Sequence, residues 1–204
     1  MKHILLLLCL FSLNCFGSEC VDFYPNKRLI EIKTTVEVCK SFFVVVVDSV
    51  NHRPLFSSEY HIPSDNHIKR ASGFYNNSNY TLRDEHYPIG YDRGHLTPAA
   101  NAATLNQMYD TFDIINTAPQ IPKFNRGSWK KFEEQVRNDY TFPVWIVTGV
   151  IYGNDPLVPE YFYKIVFRGS GKWPVAYIAK NAIDGTPTAI RLSDLSKKTK
   201  IKFK

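Results

Sequence analysis

Cysteine is scarce in this sequence, which excludes the sites that cysteine clusters build. The 204 residues contain four cysteines, and no two of them form a Cys-x-x-Cys pair. Cys9 and Cys15 lie in an apolar N-terminal segment, so Cys20 and Cys39 are the only pair beyond it. Two cysteines cannot supply the four ligands of a structural zinc site. We therefore do not expect metal binding through sulfur.

Long apolar runs are also missing. The longest N-terminal run, over residues 4–13, is shorter than the roughly 20 residues that span a bilayer. It follows Lys2 and precedes Gly17 and Ser18, which is the layout of a secretory signal peptide. We predict a signal peptide over residues 1–17, a domain over residues 18–204, no membrane span in the mature form, and a secreted or periplasmic location.

Export gives the two remaining cysteines an expected state, because disulfides persist in oxidising compartments. Cys20 and Cys39 are predicted to bond to each other. Closing that loop would stabilise the fold by roughly 3 kcal/mol in the chain-entropy picture.

Acidic residues are in the minority, with 19 Asp and Glu against 25 Lys and Arg and a formal charge of +6. This balance favours a polyanionic partner such as nucleic acid. It is equally compatible with simple solubility, so charge alone does not identify a ligand.

The pattern of apolar residues predicts one α+β domain with a mostly antiparallel sheet, because strand-like runs outnumber the single clear helix and no repeat or linker separates them. Trp129, Phe132 and Val136 place one apolar stripe on a helix over residues 129–138. A long polar loop is predicted over residues 63–90. Strands are predicted over residues 41–48, 55–62, 112–116, 143–150, 161–167 and 174–180.

One segment concentrates groups capable of chemistry. Asp92-Arg93-Gly94-His95 brings a carboxylate, a guanidinium and an imidazole together around a glycine. Downstream polar residues follow in the order Asn116, Gln120, Asn125, Glu133 and Arg137. Spacing alone makes this set a candidate site and no more.

The ordered set closely resembles the DNA/RNA non-specific endonuclease family, whose members are ββα-metal nucleases. The resemblance is strongest over residues 92–137 and thinner over the rest of the domain. It implies a ββα-metal finger on the antiparallel core and hydrolysis of DNA and RNA to 5′-phosphate products without sequence preference. It also implies one Mg²⁺ as cofactor, with Mn²⁺ as a substitute.

The resemblance assigns His95 the role of general base. An imidazole, with an unperturbed pKa of about 6.5, can accept a proton from an attacking water near neutral pH. A structural histidine is the alternative, and His86, nine residues upstream, is the rival base. His52, His61 and His67 lack this sequence context.

The resemblance also implies a division of labour around the metal. Asn125 matches the direct ligand, although asparagine is equally common at helix starts. Glu133 lies eight residues further on, roughly 12 Å along a helix, so it would hold the metal through a water. The alternative for Glu133 is a surface ion pair with Arg137, worth a few tenths of a kcal/mol.

Further residues match the family less directly. Arg70 matches an arginine that stabilises the phosphate anion, a role suited to an always-charged, forked donor; Lys69 or Arg83 is the alternative. The remaining matches either support the base and the metal or are purely structural, and they are Arg93, Asn116, Asp92, Gln120 and Arg137.

Contacts to backbone phosphates would explain a lack of sequence preference. Lys123, Arg126, Lys130 and Lys131 surround Asn125 and are candidates for them, and the basic end over residues 197–204 either adds affinity or frays. Two other functions stay open: a toxin-type nuclease effector, and a non-catalytic extracellular DNA-binding protein.

Overall fold

A seven-stranded antiparallel sheet forms the centre of the computed structural model, which describes residues 20–27, 32, 35–65, 68–77, 79–80, 87–169 and 173–203. The strand order is β1-β2-β3-β6-β7-β8-β9, and β4 pairs with β5 in a separate two-stranded ribbon. The strands are β1 (Thr35–Cys39), β2 (Phe43–Asp48), β3 (Arg53–His61), β4 (Asp92–His95), β5 (Thr117–Gln120), β6 (Val144–Tyr152), β7 (Pro159–Phe167), β8 (Val175–Lys180) and β9 (Thr188–Ile190). The helices are α1 (Leu105–Thr111), α2 (Pro122–Phe124), α3 (Lys130–Asp139) and α4 (Leu192–Thr199).

The sheet is covered on both faces, so its inner strands are apolar in both directions. β2 shows this best, because Phe43 through Val47 are all buried. Alternate residues of a strand point to opposite faces, so one strand contributes to two separate cores.

The terminal face is the side covered by residues 20–24 and by α4 with the residues that follow it, up to 203. Val147 and Ile165 pack there in one cluster with Tyr24, Leu195 and Phe203. α4 and the last residues are therefore part of the core, and the basic end is not frayed where the structure describes it.

The predicted disulfide is present on this side of the molecule. Cys20 bonds to Cys39 at the end of β1, with 5.4 Å between their Cα atoms. The bond ties the N-terminal segment to the edge strand of the sheet.

The site face is the opposite side, covered by β4, β5, α1 and the helical segment from Pro122 to Asp139. That segment contains a π-helical turn, Asn125–Trp129, between α2 and α3. Its apolar side chains Trp129, Phe132 and Val136 are buried, as the sequence predicted.

The α+β class, the single domain and the mostly antiparallel sheet are confirmed, but one predicted strand is wrong. Residues 112–116 follow α1 and form a 3₁₀ turn, Ile114–Asn116. Thr104 caps the start of α1, and Asp113 caps the turn by accepting from the Ile115 amide. Phe112 and Ile115 look strand-like because they are buried, but they pack under the loop before β4 and not within the sheet.

Smaller differences concern element boundaries. The predicted helix over 129–138 is extended towards its N-terminus by α2 and the π-helical turn. β1, β5 and β9 were not predicted, nor was the strand character of Asp92–His95. No helix in the described ranges is long and apolar enough to cross a membrane. The predicted signal peptide lies outside those ranges.

Candidate active site

A ββα unit carries the motif. Asp92 pairs with Gln120 and His95 with Thr117 in the antiparallel β4–β5 ribbon, and Pro122 begins α2 directly afterwards. Gly94 is required by a close approach, because a Cβ at this position would overlap the Gln120 side chain. The ribbon thus fixes His95 opposite the helical segment that carries Asn125.

The His95 ring lies between two phenylalanines. Its centroid is 5.3 Å from the Phe74 ring and 5.1 Å from the Phe112 ring. Burial, together with the positive charge of Arg70, lowers the pKa of His95 to about 3, so the imidazole is neutral at physiological pH. Its Nε2 is buried and has no hydrogen-bond partner among the described residues.

Arg70 lies beside the histidine. Its guanidinium carbon is 5.0 Å from the centroid of Phe112, the ring that also contacts His95. Lys69 is exposed and does not line the cavity. Arg83 and His86 lie outside the described residues.

Asn116 holds the backbone that follows the motif. Its side chain is fully buried and makes three hydrogen bonds, from its Nδ2 to the carbonyls of Thr97 and Thr111 and from the Thr97 amide to its Oδ1. The Leu96 amide also donates to the Asn116 carbonyl. These bonds fix the two residues after His95, so Asn116 acts on the histidine only through the backbone.

Asp92 orients the helical segment. The Asn125 Nδ2 donates to Asp92 Oδ2 over 2.9 Å, and Arg126 Nε donates to the same oxygen over 2.8 Å. Burial opposes ionisation of Asp92, but the bonds from Arg126 and Asn125 outweigh it and hold its pKa below the ordinary value. Asn125 lines the cavity, and its Nδ2 is engaged by Asp92, so its amide oxygen is the group that could bind a cation.

Glu133 completes the far wall. It lines the cavity, and its buried Oε1 has no hydrogen-bond partner among the described residues. The Lys164 ammonium lies 4.0 Å away. Burial raises the pKa of Glu133, and the charges of Lys164 and Arg137 oppose that effect.

These groups surround one open cavity of about 680 Å³. Most of the predicted site residues line it, whereas Asn116 and Gln120 lie buried beneath it and Lys123 and Lys131 lie exposed outside it. The lining includes Arg70, Phe74, Asp92, Arg93, His95, Asn125, Arg126, Lys130, Glu133 and Arg137.

Some residues near the site were not predicted from the sequence. Phe74 and Phe112 come together because the Tyr75 amide donates to the Phe112 carbonyl and the Ile114 amide to the Tyr75 carbonyl. Lys164 is the other omission. It alternates with Phe162 and Val166 on the site face of β7, and a lysine within a buried strand is a signal that could have been noticed.

The donors fit a hard divalent cation that retains most of its water. Among the residues that the structure describes, no three His, Cys, Asp or Glu side chains cluster as a metal cage. The Asn125 amide and the Glu133 carboxylate both line the cavity and are two oxygen donors that such a cation could use. Magnesium binds in this manner, through few protein ligands and several waters.

Comparison with known proteins agrees with this arrangement. The model of the DNA/RNA non-specific endonuclease family matches residues 31–203. Mitochondrial endonuclease G of Bos taurus is 34% identical over 117 residues, 46% of this chain and 39% of that protein. The mitochondrial nuclease of Saccharomyces cerevisiae is 33% identical over 145 residues, 59% of this chain and 43% of that protein. The matched parts therefore cover less than half of either relative.

A solved structure shares the fold. The crystal structure of an EndoG/EndoGI complex superposes with a TM-score of 0.73 at 20% identity, over 90% of this chain and 89% of that chain. A ββα unit mounted on an antiparallel sheet, with a histidine whose Nε2 has no partner among the described residues, places the domain in the class of ββα nuclease-like domains. Within that class, this chain belongs to the DNA/RNA non-specific endonuclease family.

Proposed function

We propose that the protein is an exported endonuclease that hydrolyses phosphodiester bonds of DNA and RNA with His95 as general base and one Mg²⁺ as cofactor. The observation that supports it best is the His95 ring. The ring is neutral, its buried Nε2 has no hydrogen-bond partner in the described part of the chain, and it lines the same cavity as Asn125.

The base would act on a water. A neutral imidazole nitrogen can accept the proton as the water oxygen attacks phosphorus. The rings of Phe74 and Phe112 restrict the imidazole, and Asn116 fixes the backbone that follows it. The proton acceptor is therefore held in one orientation.

An arginine would neutralise the negative charge on the phosphate. Arg70 shares the Phe112 ring with His95, so a phosphate in reach of the base is also in reach of its guanidinium. A forked, always-charged donor suits the equatorial oxygens of a pentavalent phosphorus. Position favours Arg70, which lines the cavity, over Lys69, which does not.

Asn125 would hold Mg²⁺ directly, and Glu133 would hold it through a water. When bound, the ion supplies Lewis acidity that neutralises the departing 3′ oxygen. Asp92 would orient Asn125 through the hydrogen bond between them. Mn²⁺ would substitute, since it accepts the same oxygen ligands.

Digestion of plasmid and of RNA tests the proposal. We expect cleavage of both with Mg²⁺, none with chelator, and 5′ ends that a polynucleotide kinase labels only after phosphatase treatment. Asn125→Ala should require roughly 10–100 times more Mg²⁺ or lose activity. Binding of DNA without cleavage in any divalent metal would instead support a non-catalytic DNA-binding protein.

Export and the toxin alternative need a separate experiment. The predicted leader over residues 1–17 and the Cys20–Cys39 disulfide support export. Toxicity confined to a leaderless form, with harmless expression of the full chain, is the expected result. Equal toxicity of both forms would support an effector.

A further inference from the structure

A cluster of buried charged side chains lies between the site face of the sheet and α3. Glu59 of β3 and Lys164 of β7 are each 1% exposed, although such side chains are almost never fully buried without partners. Glu133 and Arg137 reach the same space from α3, close enough to interact electrostatically with both. The cluster contains two acidic and two basic groups, so its formal charges balance.

Lys164 is held from several sides. Its Nζ donates to Thr148 Oγ1, and Thr148 stands directly opposite it in the β6–β7 register. The same Nζ lies 5.7 Å from the Trp129 ring centroid and 4.0 Å from Glu133 Oε1. The ammonium is thus anchored to the sheet beside Glu133 Oε1, a buried oxygen that has no hydrogen-bond partner in the described chain.

Glu59 interacts with both basic groups of the cluster, and the charge of Lys164 acts on it more strongly than the charge of Arg137. Both of its carboxylate oxygens accept from Asn101 Nδ2 over 3.0 Å, and Arg137 Nη1 donates to Asn101 Oδ1 over 3.4 Å. Glu59 is therefore linked to Arg137 through an amide. Lys164 is also the cation whose charge acts most strongly on Glu133, at 4.0 Å from its Oε1.

We propose that Lys164 is a positioning residue whose buried ammonium neutralises the Glu133 carboxylate and fixes it at the cavity wall, where it holds the divalent cation through a water. The inference rests on the proposed function of the site. Its physical basis is that a buried carboxylate without a counter-charge carries a large hydration penalty, so it withdraws from its functional position.

The test measures binding of Mn²⁺ by electron paramagnetic resonance of the free ion, in a His95→Ala background so that no turnover occurs. Lys164→Met keeps the length of the side chain and removes its charge. We expect Mn²⁺ to bind roughly tenfold or more weakly, the usual effect of losing a residue that orients a metal ligand. Tyr163→Phe is the matched control, because Tyr163 is the buried neighbour facing the other side of β7, and it should leave Mn²⁺ affinity unchanged.

Thermal unfolding supplies a second readout. Lys164→Met should lower Tm by roughly 6–12 °C, as expected when one partner of a buried ion pair is removed. Adding Glu133→Gln should restore part of that loss, because the neutral amide needs no counter-ion, whereas Glu59 still lacks the charge of Lys164. The double variant should nevertheless still bind Mn²⁺ weakly. An effect on Mn²⁺ affinity is thereby distinguished from an effect on Tm.

A milder variant covers the case in which Lys164→Met does not fold. Thr148→Val removes only the hydroxyl that anchors the ammonium, and we expect roughly two- to fivefold weaker Mn²⁺ binding. Unchanged Mn²⁺ affinity in folded Lys164→Met, or in Thr148→Val, overturns the inference. If the parent protein neither binds Mn²⁺ nor cleaves plasmid, the proposed function itself is wrong. Unchanged Mn²⁺ affinity in the variants would overturn only the inference about Lys164.

Discussion

The two faces of the seven-stranded sheet bury different chemistry. On the terminal face, β7 contributes Tyr163 and Ile165, which pack in one cluster with Phe203. On the site face, the same strand contributes Phe162, Lys164 and Val166 in alternation. One strand therefore takes part in an apolar core and in a charged cluster, separated only by the thickness of the sheet.

The difference shows how the molecule divides stability from chemistry. Full burial of a large apolar side chain stabilises a fold by roughly 1.5–3 kcal/mol. A buried ion loses several kcal/mol of hydration that its partners must offset, so a buried ion pair is weak evidence for stability. The apolar clusters of both faces should accordingly contribute to the free energy of unfolding, whereas the charged groups of the site face should set activity.

The largest expected effect is on the site face. His95→Ala should lower turnover by about 10²–10⁴-fold, the usual contribution of a general base, while DNA affinity and Tm stay close to the parent. Cleavage rates on plasmid with saturating Mg²⁺ measure it. His52→Asn is the control, because His52 is exposed, has a φ of 51° that asparagine tolerates, and lies away from the cavity. Near-normal turnover of His95→Ala would move the base to another residue such as His86.

The second effect belongs to the terminal face. Leu195 of α4 is completely buried there, so Leu195→Ala should cost about 2–5 kcal/mol of unfolding free energy. Turnover per folded molecule should not change. Urea unfolding and active-site-normalised rates give both values, with Lys197→Ala on the exposed side of α4 as control. A loss of turnover that matches the loss of stability would show that the two faces are not separable.

The third effect is a pH dependence confined to the site face. Burial, with the charges of Arg137 and Lys164, lowers the pKa of His61 to about 4. The unfolded chain therefore binds the proton between pH 6.5 and 4 and the folded chain does not, so stability should fall as pH drops through that window. The slope is at most about 1.4 kcal/mol per pH unit.

Comparison with a variant isolates this contribution. Glu59 has the opposite sign, because burial raises its pKa to about 7 and protonation in acid then favours the folded state. The quantity to compare is therefore the difference in unfolding free energy between the parent and His61→Gln at each pH. Contributions from the other titrating groups cancel in this difference. The parent should lose stability faster than His61→Gln below pH 6.5. Parallel curves would contradict a buried, neutral His61.

Candidate site residues chosen from the sequence lie together in the structure, whereas several residues around them were not predicted. His95, Asn125 and Glu133 were identified because their residue types and order carry the chemistry, and all three line one cavity. The inner strands were predicted because a strand buried on both faces has a continuous apolar pattern. These signals are local, or belong to an ordered motif.

What the sequence did not predict depends on long-range register. Lys164 meets Glu133 only because β7 pairs with β6 beneath α3, and no spacing along the chain encodes that. Phe112 was assigned to a strand because burial under a loop and burial in a sheet select the same residue types. Asp113 and Thr104, which cap the neighbouring helical turns, were the local signals that distinguish the two.

The smallest expected effect is on the salt dependence of nucleic-acid binding, which compares the two faces of the sheet once more. Lys131 is exposed at the start of α3 on the site face, and Lys198 is exposed on α4 on the terminal face. If phosphates are bound at the site face alone, Lys131→Gln should reduce the slope of log affinity against log salt by about 1, whereas Lys198→Gln should not change it. Stability should stay within about 0.5 kcal/mol for both variants. Binding of the His95→Ala protein to DNA across a salt series measures the slopes, and an equal reduction for both lysines would mean that the nucleic acid reaches both faces.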